Sequence, residues 1–174
     1  AVSIINNAKT SYPSACNAVE CVLVDKTIAE NFLPLLSENL KKAGVELRGD
    51  KISADILGIK QVEEDEGGTE YLDLILALRV VSGLEEAMAY IAEYGSGHSD
   101  AIISENYTDA QIFLQQVDSA CVYVNASTRF TDGGEFGLGA EVGISTQKLH
   151  SRGPMGAYDL TTTKYMIYGD GQVR

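Results

Sequence analysis

The sequence is poor in the residues that hold metals and form disulfide bonds. It contains two histidines and three cysteines, Cys16, Cys21 and Cys121. An odd number of cysteines without the paired short spacings of zinc sites favours neither a disulfide framework nor a metal centre. We therefore expect a reduced, cytoplasmic protein with no bound metal.

Basic residues are scarce as well, since 13 Lys and Arg against 25 Asp and Glu give a formal net charge of −12. A charge of this sign repels the phosphates of nucleic acids and anionic membrane surfaces. No apolar run approaches the ~20 residues of a membrane-spanning helix, and we expect no signal peptide. We expect neither nucleic acid nor a membrane as a partner. An anionic substrate would have to be met by local cations such as Lys9, Arg129 and Arg152.

With 174 residues the chain can bury one good core, so we expect one domain with an arm. Predicted strands and helices alternate along most of its length. Such alternation requires crossover connections, which are typical of an α/β fold with a mainly parallel sheet and helices on both faces. The predicted strands are residues 20–24, 45–48, 74–81, 100–104 and 120–125, and the predicted helices are residues 27–44, 51–57, 83–94 and 109–117.

Several segments of the first half allow more detailed predictions. Residues 2–5 are apolar and β-branched, which predicts a short strand, and we interpret this start as a cut within a longer protein. Residues 63–69 are acidic and contain glycine, which indicates a solvated loop.

The two longest predicted helices have recognisable features. In the helix 27–44, Pro34 predicts a kink, and Gly44 predicts where the helix ends. Its predicted inward face consists of Ile28, Phe32, Leu35, Leu36 and Leu40, and that of the helix 83–94 of Leu84, Ala87, Met88 and Ile91.

Cys16 is the candidate nucleophile of the chain. It follows Pro13 and Ser14, which can open a helix, and it lies among small residues. A helix start has unpaired backbone N–H groups and partial positive charge, which favour thiolate over thiol and lower the pKa of a cysteine held there. The alternative is an inert cysteine that packs as a small hydrophobe.

Polar residues near predicted strand ends are candidates for binding. Ligands gather at the carboxyl ends of parallel strands, which makes His98 and Asn125 candidate pocket residues. His98 could donate to a substrate or be a loop histidine bonded to backbone. Arg129 could bind phosphate or carboxylate, or form a salt bridge at a helix end. Glu70, taken by itself, is a surface acid.

Beyond Ser127 the pattern becomes irregular and rich in glycine, which indicates a segment with a functional role. Residues 137–143 have the spacing G-x-G-x-x-x-G, which differs from the dinucleotide motif G-x-G-x-x-G. We expect bends and close backbone approach to a neighbouring domain there. The alternating stretch from Thr161 to Tyr168 predicts a strand with no partner nearby in sequence, so we interpret it as an intersubunit strand.

Two long motifs in order resemble one family. Residues 7–10 (NAKT) and 13–20 (PSACNAVE) form the first, and residues 124–130 (VNASTRF), 135–146 (EFGLGAEVGIST), 148–150 and 152–156 form the second. They are similar to the gamma-glutamyl phosphate reductase family, also called glutamate-5-semialdehyde dehydrogenase, within the aldehyde dehydrogenase superfamily. The similarity covers essentially the whole chain and corresponds to the C-terminal part of that enzyme.

This resemblance implies a fold, a reaction and site residues. Residues 1–130 would form an aldehyde dehydrogenase-like catalytic domain, and residues 131–174 a returning loop and oligomerisation arm. The enzyme would reduce L-glutamate 5-phosphate to L-glutamate 5-semialdehyde with NADPH in proline biosynthesis, through a thioester on Cys16. Asn17 and the Cys16 N–H would bind the oxyanion, and Glu70 the nicotinamide-ribose hydroxyls. Arg129, His98 and Lys9 would bind substrate.

One expectation concerns what this stretch of sequence does not contain. Only fifteen residues precede Cys16, which is too few for a dinucleotide-binding half. We therefore expect NADPH to be bound mainly by a domain outside this chain, and the isolated chain to have little reductase activity. Two alternatives stay open, namely a non-catalytic assembly module and a relative that acts on another aldehyde or acyl derivative.

Overall fold

The computed structural model describes residues 1–62 and 66–174, so the first three residues of the predicted acidic loop 63–69 lie outside the described residues. The longest described helix has 14 residues, and none in these two ranges could cross a membrane. The described helices are α1 (Val2–Thr10), α2 (Ala29–Lys42), α3 (Lys51–Leu57), α4 (Leu84–Tyr94) and α5 (Tyr107–Gln116). The described strands are β1 (Cys21–Asp25), β2 (Glu46–Gly49), β3 (Lys60–Gln61), β4 (Ile75–Val81), β5 (Ser99–Ile102), β6 (Cys121–Val124), β7 (Gly143–Ser145) and β8 (Gly153–Met155).

The strands form a mainly parallel α/β architecture, which confirms the predicted fold class. Four parallel strands form one sheet in the order β1-β4-β2-β3, with Cys21 opposite Ala77 and Glu46 opposite Ile75. Strands β5 and β6 pair in parallel as a second sheet, and β7 pairs with β8 antiparallel. The five strands predicted between residues 20 and 125 are thus present, but they divide between two parallel sheets.

The core lies between α2 and the four-stranded sheet. Leu33, Leu36 and Leu40 of α2 are fully buried there. The predicted inward face of this helix was correct for Leu36 and Leu40, and Phe32 packs partly against the core. It was wrong for Ile28 and Leu35, which are 50% and 61% exposed. Two apolar stripes overlap in this helix, and the position of the sheet decides which one packs. The helix continues through Pro34 and ends before Gly44, whose φ is +79°.

Helices cover both faces of this sheet, as predicted. Leu76 and Leu78 of β4 join the α2 core, so Arg79 and Ala77 point to the opposite face because side chains alternate along a strand. On that face the Arg79 guanidinium lies 4.8 Å from the ring centre of Tyr90 in α4. The four predicted inward residues of α4, Leu84, Ala87, Met88 and Ile91, are half-buried.

Residues 2–5 lie in helix α1, so the predicted strand was wrong. Ile5 and Ala8 are buried at helical spacing, and Ile5 packs in the α2 core. The β-branched run is too short to outweigh this periodicity once α2 offers a surface for it. Local composition predicted the apolar character of the segment but not its conformation.

The stretch from Thr161 to Tyr168 forms no strand within this chain, and the predicted intersubunit strand stays a prediction. Its apolar side chains face solvent, with Tyr165 86% and Ile167 91% exposed. A strand exists only through hydrogen bonds to a neighbour, and the described chain gives this segment none. The alternating pattern therefore predicts a segment that can form a strand when it pairs with a strand of another chain.

Candidate active site

Cys16 lies in a turn between α1 and β1 at the edge of a large cleft. The Ala15 N–H donates to Tyr12 O at 3.1 Å, and the Ala18 N–H donates to Ala15 O at 2.9 Å. The predicted helix start was wrong, because the chain leaves this turn directly for strand β1. Cys16 is exposed, and it lines a cleft of about 1120 Å³ whose walls include β1 and β5.

The pKa of the Cys16 thiol is raised above its ordinary value in this chain. Desolvation is the largest cause, and the carboxylate of Glu141 adds to it. The backbone N–H of Cys16 and the guanidinium of Arg129 act in the opposite direction, whereas Glu70 raises the pKa further. The expected lowering of the pKa by a helix start is therefore absent, and the thiol form dominates at neutral pH.

Asn17 joins the cysteine turn to the segment after β6. Its side chain is buried, and Nδ2 donates to Thr131 O at 2.8 Å. Its backbone oxygen accepts from Thr128 Oγ1 at 2.7 Å, and its Oδ1 accepts from the Arg129 guanidinium. These bonds connect parts of the chain more than a hundred residues apart, so Asn17 positions Cys16 relative to β6. Its predicted oxyanion role stays a prediction.

Arg129 spans the cysteine turn from a short 3-10 helix, Thr128–Phe130. Its Nε donates to Ser11 Oγ at 3.0 Å, and its terminal nitrogen donates to Asn17. In the part of the chain that the structure describes, no carboxylate forms an ion pair with Arg129, so the alternative of a salt bridge finds no support there. Its positive charge acts on Cys16.

His98 lines the same cleft and is buried. Its Nδ1 lies 2.8 Å from Ser99 Oγ, whereas its buried Nε2 has no hydrogen-bond partner among the described residues. Desolvation lowers the pKa of His98, and the charges of Glu141, Glu70 and Asp100 oppose this shift. The imidazole is therefore a neutral group held next to the acids that also act on Cys16.

Two carboxylates act on both Cys16 and His98. Glu70, a predicted cofactor ligand, is exposed and lines the cleft. Glu141 lies within the second motif, but nothing in its local sequence predicted a contact with Cys16. Its Oε2 accepts from the Gly133 N–H at 2.8 Å. A Cβ at Gly133 would lie 2.7 Å from Ala140 O, so this glycine permits the close backbone approach that fixes Glu141.

Lys9 and Asn125 lie apart from this group. Lys9 is fully buried, and its Nζ lies 2.7 Å from Glu20 Oε2, so the ammonium already has an anionic partner. Asn125 bonds the backbone of Ser104 through both atoms of its amide, at 2.9 and 2.8 Å. The structure thus brings Cys16, Asn17, Glu70, His98 and Arg129 together and leaves Lys9 out. A substrate role of Lys9 stays a prediction without support from this geometry.

Comparison with known proteins identifies relatives of the chain. Gamma-glutamyl phosphate reductases from Thermoanaerobacter sp. (strain X514) and Nautilia profundicola are 60% and 59% identical over the full chain. The crystal structure of gamma-glutamyl phosphate reductase from Thermotoga maritima matches 99% of the chain with 51% identity and a TM-score of 0.95. The chain spans 42% of the length of each of these proteins.

A more distant structure shares the fold. An acetylating aldehyde dehydrogenase from Geobacillus thermoglucosidasius matches 99% of this chain and 48% of its own, with 19% identity and a TM-score of 0.71. No protein-family model matches the chain. The resemblance found from the two motifs is confirmed: over its whole length the chain is a homologue of part of gamma-glutamyl phosphate reductase, with an aldehyde dehydrogenase fold.

Proposed function

We propose that this chain provides the cysteine nucleophile of an enzyme that reduces L-glutamate 5-phosphate to L-glutamate 5-semialdehyde with NADPH. The single observation that carries the proposal is the position of Cys16, an exposed thiol on a cleft that His98 and Glu70 also line, with Arg129 beside it. The names of the relatives support the substrate and the reaction class. A cytoplasmic location stays a prediction.

The first half-reaction forms a thioester. The Cys16 sulfur attacks the acyl carbon, a C–S bond forms, and the C–O bond to phosphate breaks. Phosphate leaves with the proton of the thiol. Arg129 favours the thiolate by its charge and has the planar N–H donors that suit a phosphate. The backbone N–H of Cys16, which already stabilises the thiolate, is a candidate donor to the oxyanion.

The second half-reaction releases the aldehyde. NADPH, when bound, supplies the hydride that reduces the thioester carbon. With one proton this gives a thiohemiacetal on Cys16, whose C–S bond breaks to give the semialdehyde and the thiol. No base is needed to activate a water.

The described residues fit only one end of the cofactor. The exposed carboxylate of Glu70 is an acceptor suited to ribose hydroxyls at the cleft. The sequence contains no G-x-G-x-x-G motif for a pyrophosphate. We propose that the rest of the dinucleotide site is formed by the part of the relatives that this chain does not match. The 174-residue chain is then expected to show no NADPH-dependent turnover, and substantial turnover would contradict this part of the proposal.

Acylation by a small acyl phosphate tests the nucleophile without the cofactor. The chain is incubated with acetyl phosphate at mildly alkaline pH and digested for peptide mass spectrometry. We expect one acetyl group on Cys16 that hydroxylamine removes, and none on Cys21 or Cys121. Cys16→Ala is the control that must lose this label. Equal labelling of all three cysteines, or of lysines alone, would contradict the proposed role.

We further propose that residues 131–174 form the returning loop and oligomerisation arm of a homo-oligomer, beside a catalytic domain of residues 1–130. The exposed apolar side chains of Tyr165, Ile167 and Tyr168 support a role in assembly. A chain truncated after Leu160 is compared with the full chain by light scattering. A smaller number of subunits in the truncated chain supports the arm, and an equal number contradicts it. Assembly together with absent acylation of Cys16 would favour the alternative of a non-catalytic module.

A further inference from the structure

A row of three hydroxyl groups, with buried Thr131 between half-buried Ser99 and Tyr123, begins at the imidazole of His98. Its Nδ1 lies 2.8 Å from Ser99 Oγ, which lies 2.6 Å from Thr131 Oγ1. Thr131 Oγ1 lies in turn 2.7 Å from the phenol oxygen of Tyr123. Thr131 is fully buried at the centre of this row. The row therefore joins hydroxyl groups from β5, from β6 and from the segment after β6, and its Ser99 end contacts Nδ1 of His98.

In two arrangements of the hydroxyl protons, all hydrogen bonds of this row run in the same direction. If Tyr123 donates to Thr131, Thr131 to Ser99 and Ser99 to Nδ1, every hydroxyl proton is used and the ring proton lies on Nε2. If the order is reversed, Nδ1 carries the proton and Tyr123 must donate outside the row. The group next to the phenol there is the thiol of Cys121, and sulfur is a weak acceptor.

One physical argument favours the first direction. In it Tyr123 donates to the oxygen of Thr131 and not to the sulfur of Cys121, and a phenol is a better donor than the alcohol of a threonine. The buried Nε2 has no hydrogen-bond partner among the described residues, so a proton on it is free for a ligand.

We propose that the Tyr123–Thr131–Ser99 row fixes His98 as the neutral tautomer protonated on Nε2, and that this N–H is a preset donor to an oxygen acceptor in the cleft of Cys16. Ser99, Thr131 and Tyr123 are then positioning residues that act through His98. Only the identity of the acceptor, an oxygen of the acyl substrate, rests on the proposed function. The tautomer is a property of the chain without ligand.

Nitrogen-15 NMR of the imidazole tests the proposal directly. Long-range correlation spectra of the labelled 174-residue chain distinguish the protonated nitrogen of His98 from the unprotonated one at a pH where the ring is neutral. We expect the Nε2–H form in about tenfold excess, the preference that one hydrogen bond of ordinary strength gives. An excess of the Nδ1–H form, or an even mixture, would overturn the proposal whether or not the chain reacts with acyl phosphates.

Variants of the row show whether it sets the tautomer. Ser99→Ala removes the donor to Nδ1 and is expected to bring the two forms to near equality, and Tyr123→Phe to shift them less. The matched control is Tyr90→Phe on α4, which removes a phenol hydroxyl outside the row. It is expected to keep the excess. A Ser99→Ala chain with unchanged backbone spectra and an unchanged tautomer ratio would refute the role of the row. If that variant does not fold, the spectrum of the unsubstituted chain still decides.

Discussion

The two faces of the four-stranded sheet have different chemistry. On the face toward α2, Leu36 and Leu76 are completely buried among aliphatic neighbours. On the opposite face lie Cys21 and Arg79, with Tyr90 above them, and these residues line the cleft. Since side chains alternate along each strand, one set of strands builds both faces. The difference teaches that stability comes mainly from one side of the sheet, which leaves the other side free for polar and reactive groups.

The largest expected effect tests the packed face. Leu36→Ala removes a side chain with no exposed surface and leaves a cavity, so we expect a loss of about 3 kcal/mol in the free energy of unfolding. The neighbouring Leu35, 61% exposed on the same helix, is the matched control, and Leu35→Ala should cost less than about 0.5 kcal/mol. Denaturant unfolding of both variants measures the difference. Equal losses would show that the α2 face does not dominate stability.

The second prediction concerns how much the buried ion pair of Lys9 and Glu20 contributes to the free energy of unfolding. Lys9→Met leaves the carboxylate of Glu20 without its cation, and the expected loss is up to about 3 kcal/mol. Lys42→Met, which breaks the exposed pair with Glu38, is the matched control at about 0.5 kcal/mol or less. Lys9→Met combined with Glu20→Gln should regain most of the loss. A Lys9→Met chain as stable as the unsubstituted chain would contradict a stabilising role of this pair.

Alkaline pH is expected to lower the free energy of unfolding, because Cys21 on the cleft face is buried as a thiol. Desolvation raises the pKa of Cys21 to about 12, against about 8.5 for an unfolded cysteine. Between these values the unfolded chain loses a proton that the folded chain keeps, so stability falls as pH rises. The limit for one proton is about 1.4 kcal/mol per pH unit. Unfolding measured from pH 8.5 to 10 should show a shallower fall for Cys21→Ala, and a smaller change for Cys16→Ala. An unchanged slope in Cys21→Ala would contradict this origin.

The smallest effect concerns the reactivity of Cys16. Glu141→Gln removes a negative charge that disfavours the thiolate, so alkylation by iodoacetamide near neutral pH should become about two- to fivefold faster. Glu135→Gln, an exposed acid of the same loop, is the control and should leave the rate unchanged. Peptide mapping assigns the rate to each cysteine. A rate that does not respond to Glu141→Gln would show that this carboxylate does not act on the thiol.

Much of the fold was predictable where local and long-range requirements agree. The strand β4 is a continuous apolar run, and helix α3 begins at Lys51 and ends at Leu57 as predicted. Its limits are set locally, because Asp50 accepts from the Ser53 N–H at 2.8 Å and Gly58 ends it with a φ of +60°. Predictions failed where packing against another element decides, as for residues 2–5 and for Ile28 and Leu35 of α2. The intersubunit strand from Thr161 to Tyr168 stays a prediction.

The site divides in the same way. The sequence by itself determined the similarity to gamma-glutamyl phosphate reductases through two long motifs. Periodicity determined the parallel α/β class, and the small residues around Cys16 made it the candidate nucleophile. Only the tertiary structure decided that Lys9 forms an ion pair with Glu20 and that the charge of Glu141 acts on Cys16. It also decided that Ser99 bonds both His98 and Thr131. Burial, charge and hydrogen bonding between residues far apart in the chain exist only after folding has placed them next to each other.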